Sequence, residues 1–237
     1  VTLADLPAGT GLGSSGAVTV GTLAALYAFQ GVYKSPLALA EEAAGIEIDN
    51  LGKPVGRQDQ YAAAVGGLNL IEFLPEGGGV RVNAIVHAPG VLRRMHRSMA
   101  LFYTGRQRSA SSVLAAQNAL IHSGDGKSLG SLKRMRDLAY EFREPLSRGD
   151  YEAVGRLLDE NWQIKRSLVG GITNPEIDDL YDRIKAAGAL GAKLLGAGSS
   201  GFLLVVAPPE RLDGMRARLS DLREVSFRFT SRGAHIS

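Results

Sequence analysis

The sequence predicts an α+β protein built from two domains. Stretches with the apolar spacing of helices alternate with short runs typical of strands, and the chain changes character at Ala88-Pro89-Gly90. Its 237 residues, 45% hydrophobic and 22% charged, are enough for two small domains with cores of their own. We therefore expect a first domain over residues 1–90 and a second over residues 91–237.

The first domain should begin with a glycine-rich loop that leads directly into a helix. The elements expected after this loop are helices over 17–30, 35–48 and 58–65 and strands over 68–73 and 80–85. Ser35 followed by Pro36 is typical of a helix start, with the serine as N-cap. The first helix is apolar on all faces, which predicts that it is buried.

The second domain should combine helices with a small number of strands. The elements expected are a strand over 99–104, a helical pattern over 109–168 with a break at 123–126, a helix over 175–187, a strand, glycine turn and strand over 193–206, a helix over 208–220 and a strand over 225–229.

The composition argues against several classes of protein. The net charge is +3, the basic residues are scattered, and the aromatic content of 6% is low for a surface that stacks bases, so no nucleic-acid partner is expected. No segment approaches the roughly 18 apolar residues of a membrane span. The sequence lacks cysteine, which suits a reducing compartment. These observations predict a cytoplasmic protein without a membrane partner.

The glycine-rich loop is the first candidate binding site. Its small residues would let the backbone approach a bulky anion, and the helix that follows adds partial positive charge, so a phosphate is the expected ligand. It lacks the lysine of a P-loop and the acidic residue expected after a dinucleotide-binding loop. The alternative is a glycine-rich turn before an ordinary helix. The residues expected to bind phosphate are Gly9, Thr10, Gly11, Leu12, Gly13, Ser14 and Ser15.

Two carboxylates of the acidic segment that follows are candidates for chemistry. Asp59 is either a group that accepts a proton or a helix N-cap, and spacing alone leaves both open. Glu47 lies twelve positions earlier and is either a functional carboxylate or part of a solvated helix face. A second glycine turn lies at 196–201, preceded by Lys193, which is either part of a site or a lysine at a strand end with its charge in solvent.

These motifs resemble the GHMP small-molecule kinases, named for galactokinase, homoserine kinase, mevalonate kinase and phosphomevalonate kinase. The loop at 7–15 is similar to the phosphate loop of that family, residues 56–60 to its Gly-x-x-Asp-Gln signature, and residues 193–201 to its C-terminal glycine motif. Within the family, residues 47–49, 66–69 and 102–105 resemble the D-glycero-D-manno-heptose 7-phosphate kinases. Serines stand at 199 and 200, where the family motif is richer in glycine.

The resemblance implies a fold and a set of roles. The fold is the two-domain GHMP kinase architecture, with a ribosomal-protein-like N-terminal domain and a ferredoxin-like C-terminal domain. The ligands are ATP and Mg²⁺, with the metal held by Ser15 and Glu47 and with Asp59 as the catalytic residue. Arg108, whose alternative is an ordinary surface position, would bind the substrate's phosphate. The other substrate-binding residues implied are Thr104, Gly196 and Gly198.

The implied reaction transfers the γ-phosphate of ATP to the anomeric hydroxyl of D-glycero-D-manno-heptose 7-phosphate. Its 1,7-bisphosphate product would feed nucleotide-activated heptose for surface polysaccharide. The alternatives are a kinase of another sugar, of the fucose or galactose type, and an inactive nucleotide-binding fragment. The inactive fragment is an alternative for two reasons: relatives begin well upstream, and the strand expected at 1–4 has no predicted partner. The N-terminal domain is therefore expected to be truncated. A homodimer is left open.

Overall fold

The computed structural model describes residues 10–75, 77–105, 113, 115, 116, 119, 120 and 126–236, without the side chain of residue 127. By its internal contacts the chain divides into two compact units. The first contains Gly13–Ile85 and the segment from Phe229 onward, and the second contains Thr10–Leu12 and Val86–Arg228. The division therefore falls within the glycine-rich loop, between Leu12 and Gly13. The domain boundary near residue 90 stays a prediction.

The first unit is a group of helices with one antiparallel hairpin. Its elements are α1 (Ser14–Phe29), α2 (Pro36–Gly45), a π-helical turn (Ile46–Asn50), α3 (Gln58–Val65), β1 (Asn69–Phe73) and β2 (Val80–Ala84). The side chain of Ser35 accepts a hydrogen bond from the amide of Ala38, so the predicted N-cap is confirmed. Strands β1 and β2 pair from Asn69 opposite Ala84 to Phe73 opposite Val80.

Helix α1 is much more exposed than its sequence predicts. Gly16 and Val20 are its buried residues, whereas Phe29 is 90% exposed. The core of this unit forms where Val20 joins the cluster built around Tyr61 and Ala64. The expectation of a buried helix is therefore wrong for the described chain. Neighbouring elements cover only one side of α1, although its residues are apolar on every face.

The second unit has a four-stranded sheet covered by helices. Its elements are α4 (Val91–Arg97), β3 (Met99–Tyr103), α5 (Gly126–Glu141), α6 (Arg143–Arg148), α7 (Tyr151–Leu168), α8 (Pro175–Ala186), β4 (Gly191–Leu194), β5 (Phe202–Val206), α9 (Pro209–Arg218) and β6 (Arg223–Glu224). The strand order is β4-β5-β3-β6 and all pairs are antiparallel. Asn174 caps α8 by accepting from the amides of Glu176 and Ile177.

The sheet separates two clusters of buried side chains. Ala192 and Leu194 of β4 belong to the larger cluster, and Val206 of β5 belongs to the smaller one. The opposite face of β4 carries Gly191 and Lys193, because neighbouring residues of a strand point to opposite faces. A β-carbon at Gly191 would lie 2.0 Å from the carbonyl oxygen of Gly155, so α7 lies directly against this face.

The last predicted strand is shorter and earlier than expected. Arg223 and Glu224 pair with β3, whereas the sequence predicts a strand over 225–229. The amide of Val225 still donates to the carbonyl oxygen of Leu101 at 2.8 Å, but pairing then ends. The carbonyl of Phe227 instead contacts the His96 ring nitrogen at 2.8 Å. The expectation of a longer strand is wrong because this backbone leaves the sheet to form other contacts.

The end of the chain belongs to the first unit. The amide of Gly67 donates to the carbonyl of Thr230, and the amide of Ala234 to the carbonyl of Ala63, each at 2.9 Å. A β-carbon at Gly66 would lie 2.1 Å from the amide nitrogen of Gly233. The first unit is therefore built from two segments that lie far apart in sequence.

Among the residues that the structure describes, no helix is both long enough and apolar enough to cross a lipid bilayer.

We predict that Gly191→Ala destabilises the second unit by about 1–3 kcal/mol, because its β-carbon would overlap the Gly155 carbonyl. Gly214→Ala is the matched control, since no described atom lies within 4 Å of its new β-carbon inside α9. That control should stabilise by about 0.5–1 kcal/mol, because alanine favours a helix over glycine. Urea unfolding measures both, and a Gly191→Ala protein as stable as wild type would contradict the close packing of α7 on β4.

Candidate active site

A buried carboxylate organises the polar cluster of the first unit. Glu47 is 1% exposed and lies in the π-helical turn that extends α2. Its Oε1 accepts a short hydrogen bond from the hydroxyl of Ser15, in the first turn of α1. Its Oε2 accepts from Nε2 of Gln60, the neighbour of Asp59, at 2.6 Å. Three separate elements thus meet at one carboxylate.

Lys53 is the member of this cluster that sequence reasoning missed. Its Nζ lies 2.9 Å from both the Oγ of Ser15 and the Oε1 of Glu47. The backbone contributes as well, since the amide of Lys53 donates to the carbonyl of Glu47 at 3.0 Å. The π-helical turn and the loop after it bring the lysine back to the carboxylate. The spacing Glu47 to Lys53 does not correspond to one face of an α-helix, so helical periodicity gives no signal for it.

The charge state of Glu47 follows from these contacts. Burial alone would raise the pKa of its carboxyl, but the hydrogen bonds from Ser15, Lys53 and Gln60 and the positive charge of Lys53 favour the ionised form. The net effect is a pKa below the ordinary value. Glu47 is therefore an anion held in a fixed orientation. The alternative of a solvated helix face is wrong for this residue, because its side chain is buried.

Asp59 lies in the first turn of α3, beside the glycine-rich loop. A β-carbon at Gly13 would lie 3.1 Å from its Cγ, and one at Gly16 would lie 3.0 Å from the amide nitrogen of Gln60. Gly13 has a φ of 70°, in the left-handed region that favours glycine. The glycines therefore allow α3 to approach the start of α1.

The carboxyl of Asp59 differs from that of Glu47 in its environment. Within the described chain it has no hydrogen-bond partner, although the residue as a whole is exposed. Partial burial of the carboxyl and the negative charge of Glu47 raise its pKa. The N-cap interpretation is wrong, because the N-cap of α3 is Arg57 and no side chain caps the helix. Asp59 is thus a carboxyl with accessible oxygens and increased proton affinity.

The oxygen atoms of Ser15 and Glu47 suit a small divalent cation. A hydroxyl and a carboxylate lie next to each other, and the ammonium group of Lys53 contacts both, so this place already favours positive charge. Mg²⁺ commonly takes one or two protein oxygens and completes its shell with phosphate and water. Within the described residues, no group of three or more His, Cys, Asp or Glu side chains could hold a metal. A magnesium ion here would therefore depend on phosphate oxygens.

The second unit brings the two glycine motifs together. A β-carbon at Gly11 would lie 2.9 Å from the carbonyl oxygen of Leu195 and 3.0 Å from the Cα of Gly196. A β-carbon at Gly201 would lie 2.5 Å from the carbonyl oxygen of Thr10. The backbone of Thr10–Leu12 therefore packs directly on the turn at 196–201, which the sequence did not predict.

Ser199 adopts the left-handed backbone conformation within the glycine turn. Its φ is 60°, the one positive φ outside glycine among the described residues. The amide of Ser199 donates to the carbonyl of Ile172 at 2.8 Å, and its carbonyl accepts from Nδ2 of Asn174 at 3.0 Å. These two bonds hold the turn in a conformation that glycine adopts more easily.

Three of the four substrate-binding residues predicted from the sequence lie within the described chain. The Oγ1 of Thr104 lies 3.0 Å from both the carbonyl oxygen and the amide nitrogen of Gly201, so its hydroxyl fixes the glycine turn. Gly196 and Gly198 lie in that turn with φ of 75° and 133°. Arg108 and Gly9 lie outside the described residues. A substrate-binding role stays a prediction for Thr104, Gly196, Gly198 and Arg108, as does phosphate binding for Gly9.

Comparison with known proteins identifies the class of this fold and then the family. The family descriptions GHMP kinases N terminal domain and GHMP kinases C terminal match residues 2–67 and 138–223. The α+β fold class is confirmed by solved structures of the same two-domain kinase class. The chain belongs to the GHMP kinase superfamily.

Individual relatives are similar at moderate identity. A D-glycero-α-D-manno-heptose 7-phosphate kinase of Campylobacter jejuni is 29% identical over 89% of this chain and 61% of that protein. An L-fucokinase/L-fucose-1-P guanylyltransferase of Bacteroides fragilis is 30% identical over 86% of this chain and 22% of that protein. The crystal structure of a D-glycero-D-manno-heptose 1-phosphate kinase from Bacteroides thetaiotaomicron superimposes with a TM-score of 0.74 at 27% identity.

The alignments also show that this chain spans only part of the length of these relatives. The Bacteroides thetaiotaomicron structure matches 98% of this chain, but the chain covers 64% of that structure. It likewise spans about three fifths of the Campylobacter jejuni kinase, at 61%.

We predict that Glu47→Gln makes unfolding less sensitive to acid. In the unfolded chain Glu47 titrates near 4.5, whereas its folded pKa is lower. The ionised carboxylate therefore contributes its full stabilisation above the unfolded pKa of 4.5. This contribution is lost as the pH falls through the folded pKa. Urea unfolding between about pH 3 and pH 7 measures the slope, which should be smaller in the variant. Asp49→Asn is the control, and equal slopes for wild type and Glu47→Gln would contradict the assignment.

Proposed function

We propose that this chain forms part of an ATP- and Mg²⁺-dependent sugar kinase. The observation that carries the proposal is the cluster of Ser15, Glu47 and Lys53 at the start of α1, with Asp59 beside the same loop. Phosphoryl transfer requires charge stabilisation, a held metal and an oriented acceptor hydroxyl. The cluster offers oxygen ligands held by hydrogen bonds, and Asp59 adds a carboxyl group of increased basicity.

The proposed roles begin with nucleotide binding. The glycine-rich loop from Gly9 to Ser15 would bind the β- and γ-phosphates through backbone amides, helped by the partial positive charge at the start of α1. Ser15 and Glu47 would hold Mg²⁺, which when bound neutralises charge on the phosphates. Gln60 and Lys53 orient Glu47 and keep it ionised.

Asp59 is proposed to accept the proton of the attacking sugar hydroxyl. Its oxygens have no hydrogen-bond donors within the described chain, so they are available to a substrate hydroxyl. Burial and the charge of Glu47 raise its pKa, which makes the carboxylate a stronger base than an ordinary aspartate. The transfer is in line and direct, without a phosphorylated enzyme intermediate.

The proposed acceptor is the anomeric hydroxyl of D-glycero-D-manno-heptose 7-phosphate. The similarity to the Campylobacter jejuni kinase supports this substrate class. A second candidate is an unphosphorylated sugar of the fucose type, favoured by the similarity to the Bacteroides fragilis enzyme. Thr104, Gly196, Gly198 and Arg108 are the proposed substrate residues.

We predict that Asp59→Asn lowers kcat about 10²–10⁴-fold, because the proton of the acceptor loses its base. Nucleotide binding should change little, since the loop amides and Glu47 remain. The matched control is Asp49→Asn, an exposed carboxylate of the same unit. ADP release and nucleotide titration are measured for this chain and for any longer protein encoded with it. A near-normal kcat in Asp59→Asn would remove the catalytic assignment.

A panel of sugars tests the acceptor separately from the chemistry. Heptose 7-phosphate should give a kcat/KM at least about tenfold above heptose, fucose or galactose, because a charged group adds roughly 1.4 kcal/mol or more of binding. ADP release is measured with each sugar at equal concentration. Faster turnover of fucose or galactose would replace the heptose assignment with the second candidate.

A further inference from the structure

Two lysines of the second unit belong to the elements next to the glycine turn. Lys165 is in the last turn of α7, and its Nζ donates a short hydrogen bond to the carbonyl of Gly196. Lys193 is on the face of β4 against which α7 packs, three positions before Gly196. Both residues are partly buried. The two ammonium groups are close enough for the charge of Lys193 to act on Lys165.

Neither lysine has a carboxylate partner among the described residues. The nearby carboxylates are already paired. Asp159 accepts from the hydroxyl of Tyr181 at 2.7 Å and forms an ion pair with Lys185 at 3.2 Å. Asp178 forms an ion pair with Arg166 at 3.1 Å. Within the part of the chain that the structure describes, the charge of these two lysines is therefore uncompensated.

This arrangement has an electrostatic cost that an anion would remove. Burial lowers the pKa of Lys165 to about 8, with a further contribution from Lys193, and burial lowers the pKa of Lys193 to about 8 as well. Two desolvated cations without a counter-ion disfavour the folded chain at neutral pH. A ligand with two negative charges would restore the balance.

Backbone donors of the glycine turn are available at the same place. Within the described chain, the amides of Gly196, Ala197 and Gly198 donate to no acceptor, although Gly198 is buried. The amides of the residues after them are used, for example that of Gly201 by Thr104. Successive backbone N–H groups in a turn with positive φ form a concave site that favours anions.

We propose that Lys165 and Lys193, with the amides of Gly196–Gly198, bind a phosphoryl dianion in the second unit. This inference deepens the proposed function and rests on it for its biological meaning, because an acceptor that is itself a phosphate ester needs a cationic site. The phosphoryl group belongs either to the sugar phosphate or to the nucleotide. Lysine ammonium groups and turn amides suit both sources.

Calorimetry separates the two sources directly. Inorganic phosphate, heptose 7-phosphate, unphosphorylated heptose and ATP are titrated into wild type, Lys165→Met and Lys193→Met. We expect phosphate and one phosphorylated ligand to bind at least about tenfold more weakly in both variants, since each loses a charged hydrogen bond to the phosphoryl group. A loss confined to heptose 7-phosphate identifies the sugar phosphate, and a loss confined to ATP identifies the nucleotide. Lys133→Met, an exposed lysine of the same unit, is the control.

The variants also report whether the lysines are structural. Removing an uncompensated buried charge should leave the thermal midpoint of Lys193→Met equal to or above that of wild type at about pH 7, with the difference decreasing as the pH rises beyond 8. Lys193→Arg should retain phosphate binding. Trp162, the single tryptophan of the chain, lies one turn from Lys165 and gives a fluorescence readout of binding.

Several outcomes would overturn the inference. Unchanged phosphate affinity in both methionine variants would do so, and so would a clear loss of stability in Lys193→Met at neutral pH. In wild type alone, phosphate affinity that does not fall as the pH rises through 8 would also contradict it. These measurements need no turnover. A protein without kinase activity can still show lysine-dependent phosphate binding, and an active kinase with unaffected variants would refute this inference alone.

Discussion

The contact between the Ser15 hydroxyl and the buried Glu47 carboxylate is the interaction on which the first unit's site depends. A carboxylate that is 1% exposed would be costly without donors, and Ser15, Lys53 and Gln60 supply them. These donors come from the start of α1, the loop after the π-helical turn, and α3. The same carboxylate thus joins α1 to α3, the helix that carries Asp59, so the packing of the first unit and the geometry of the candidate site depend on one group.

In the second unit, the two glycine motifs meet through close packing of their backbones rather than through charged groups. Gly11 and Gly196 lie so close that either β-carbon would overlap the other segment's backbone, at 3.0 Å and 2.5 Å from the opposing Cα. Because glycine occupies both positions, the two motifs meet without intervening side chains. Their amides and carbonyls then become the local surface, and Lys165 is held to it through the Gly196 carbonyl.

The sequence predicted what is local and failed where tertiary contacts decide. Ser15, Glu47 and Asp59 were singled out because the glycine loop and the Gly-x-x-Asp-Gln residues resemble family motifs, and their roles stay predictions. Lys53 was missed because it reaches Glu47 through a π-helical turn, whose extra residue breaks helical periodicity. The packing of Gly11 on Gly196 was missed because no local pattern links distant segments. The exposure of α1 could not be predicted from its composition, which is the same on every face.

The return of the last residues to the first unit has a consequence for how the protein is made. Thr230 and Ala234 complete the hydrogen bonding of Gly67 and Ala63, so the packing of α3 is finished by residues synthesised after the whole second unit. Contacts between distant segments form late and slow folding. During synthesis the second unit emerges whole before the first can close. Glu47 and Asp59 are therefore encoded before the second unit but reach their final surroundings after it.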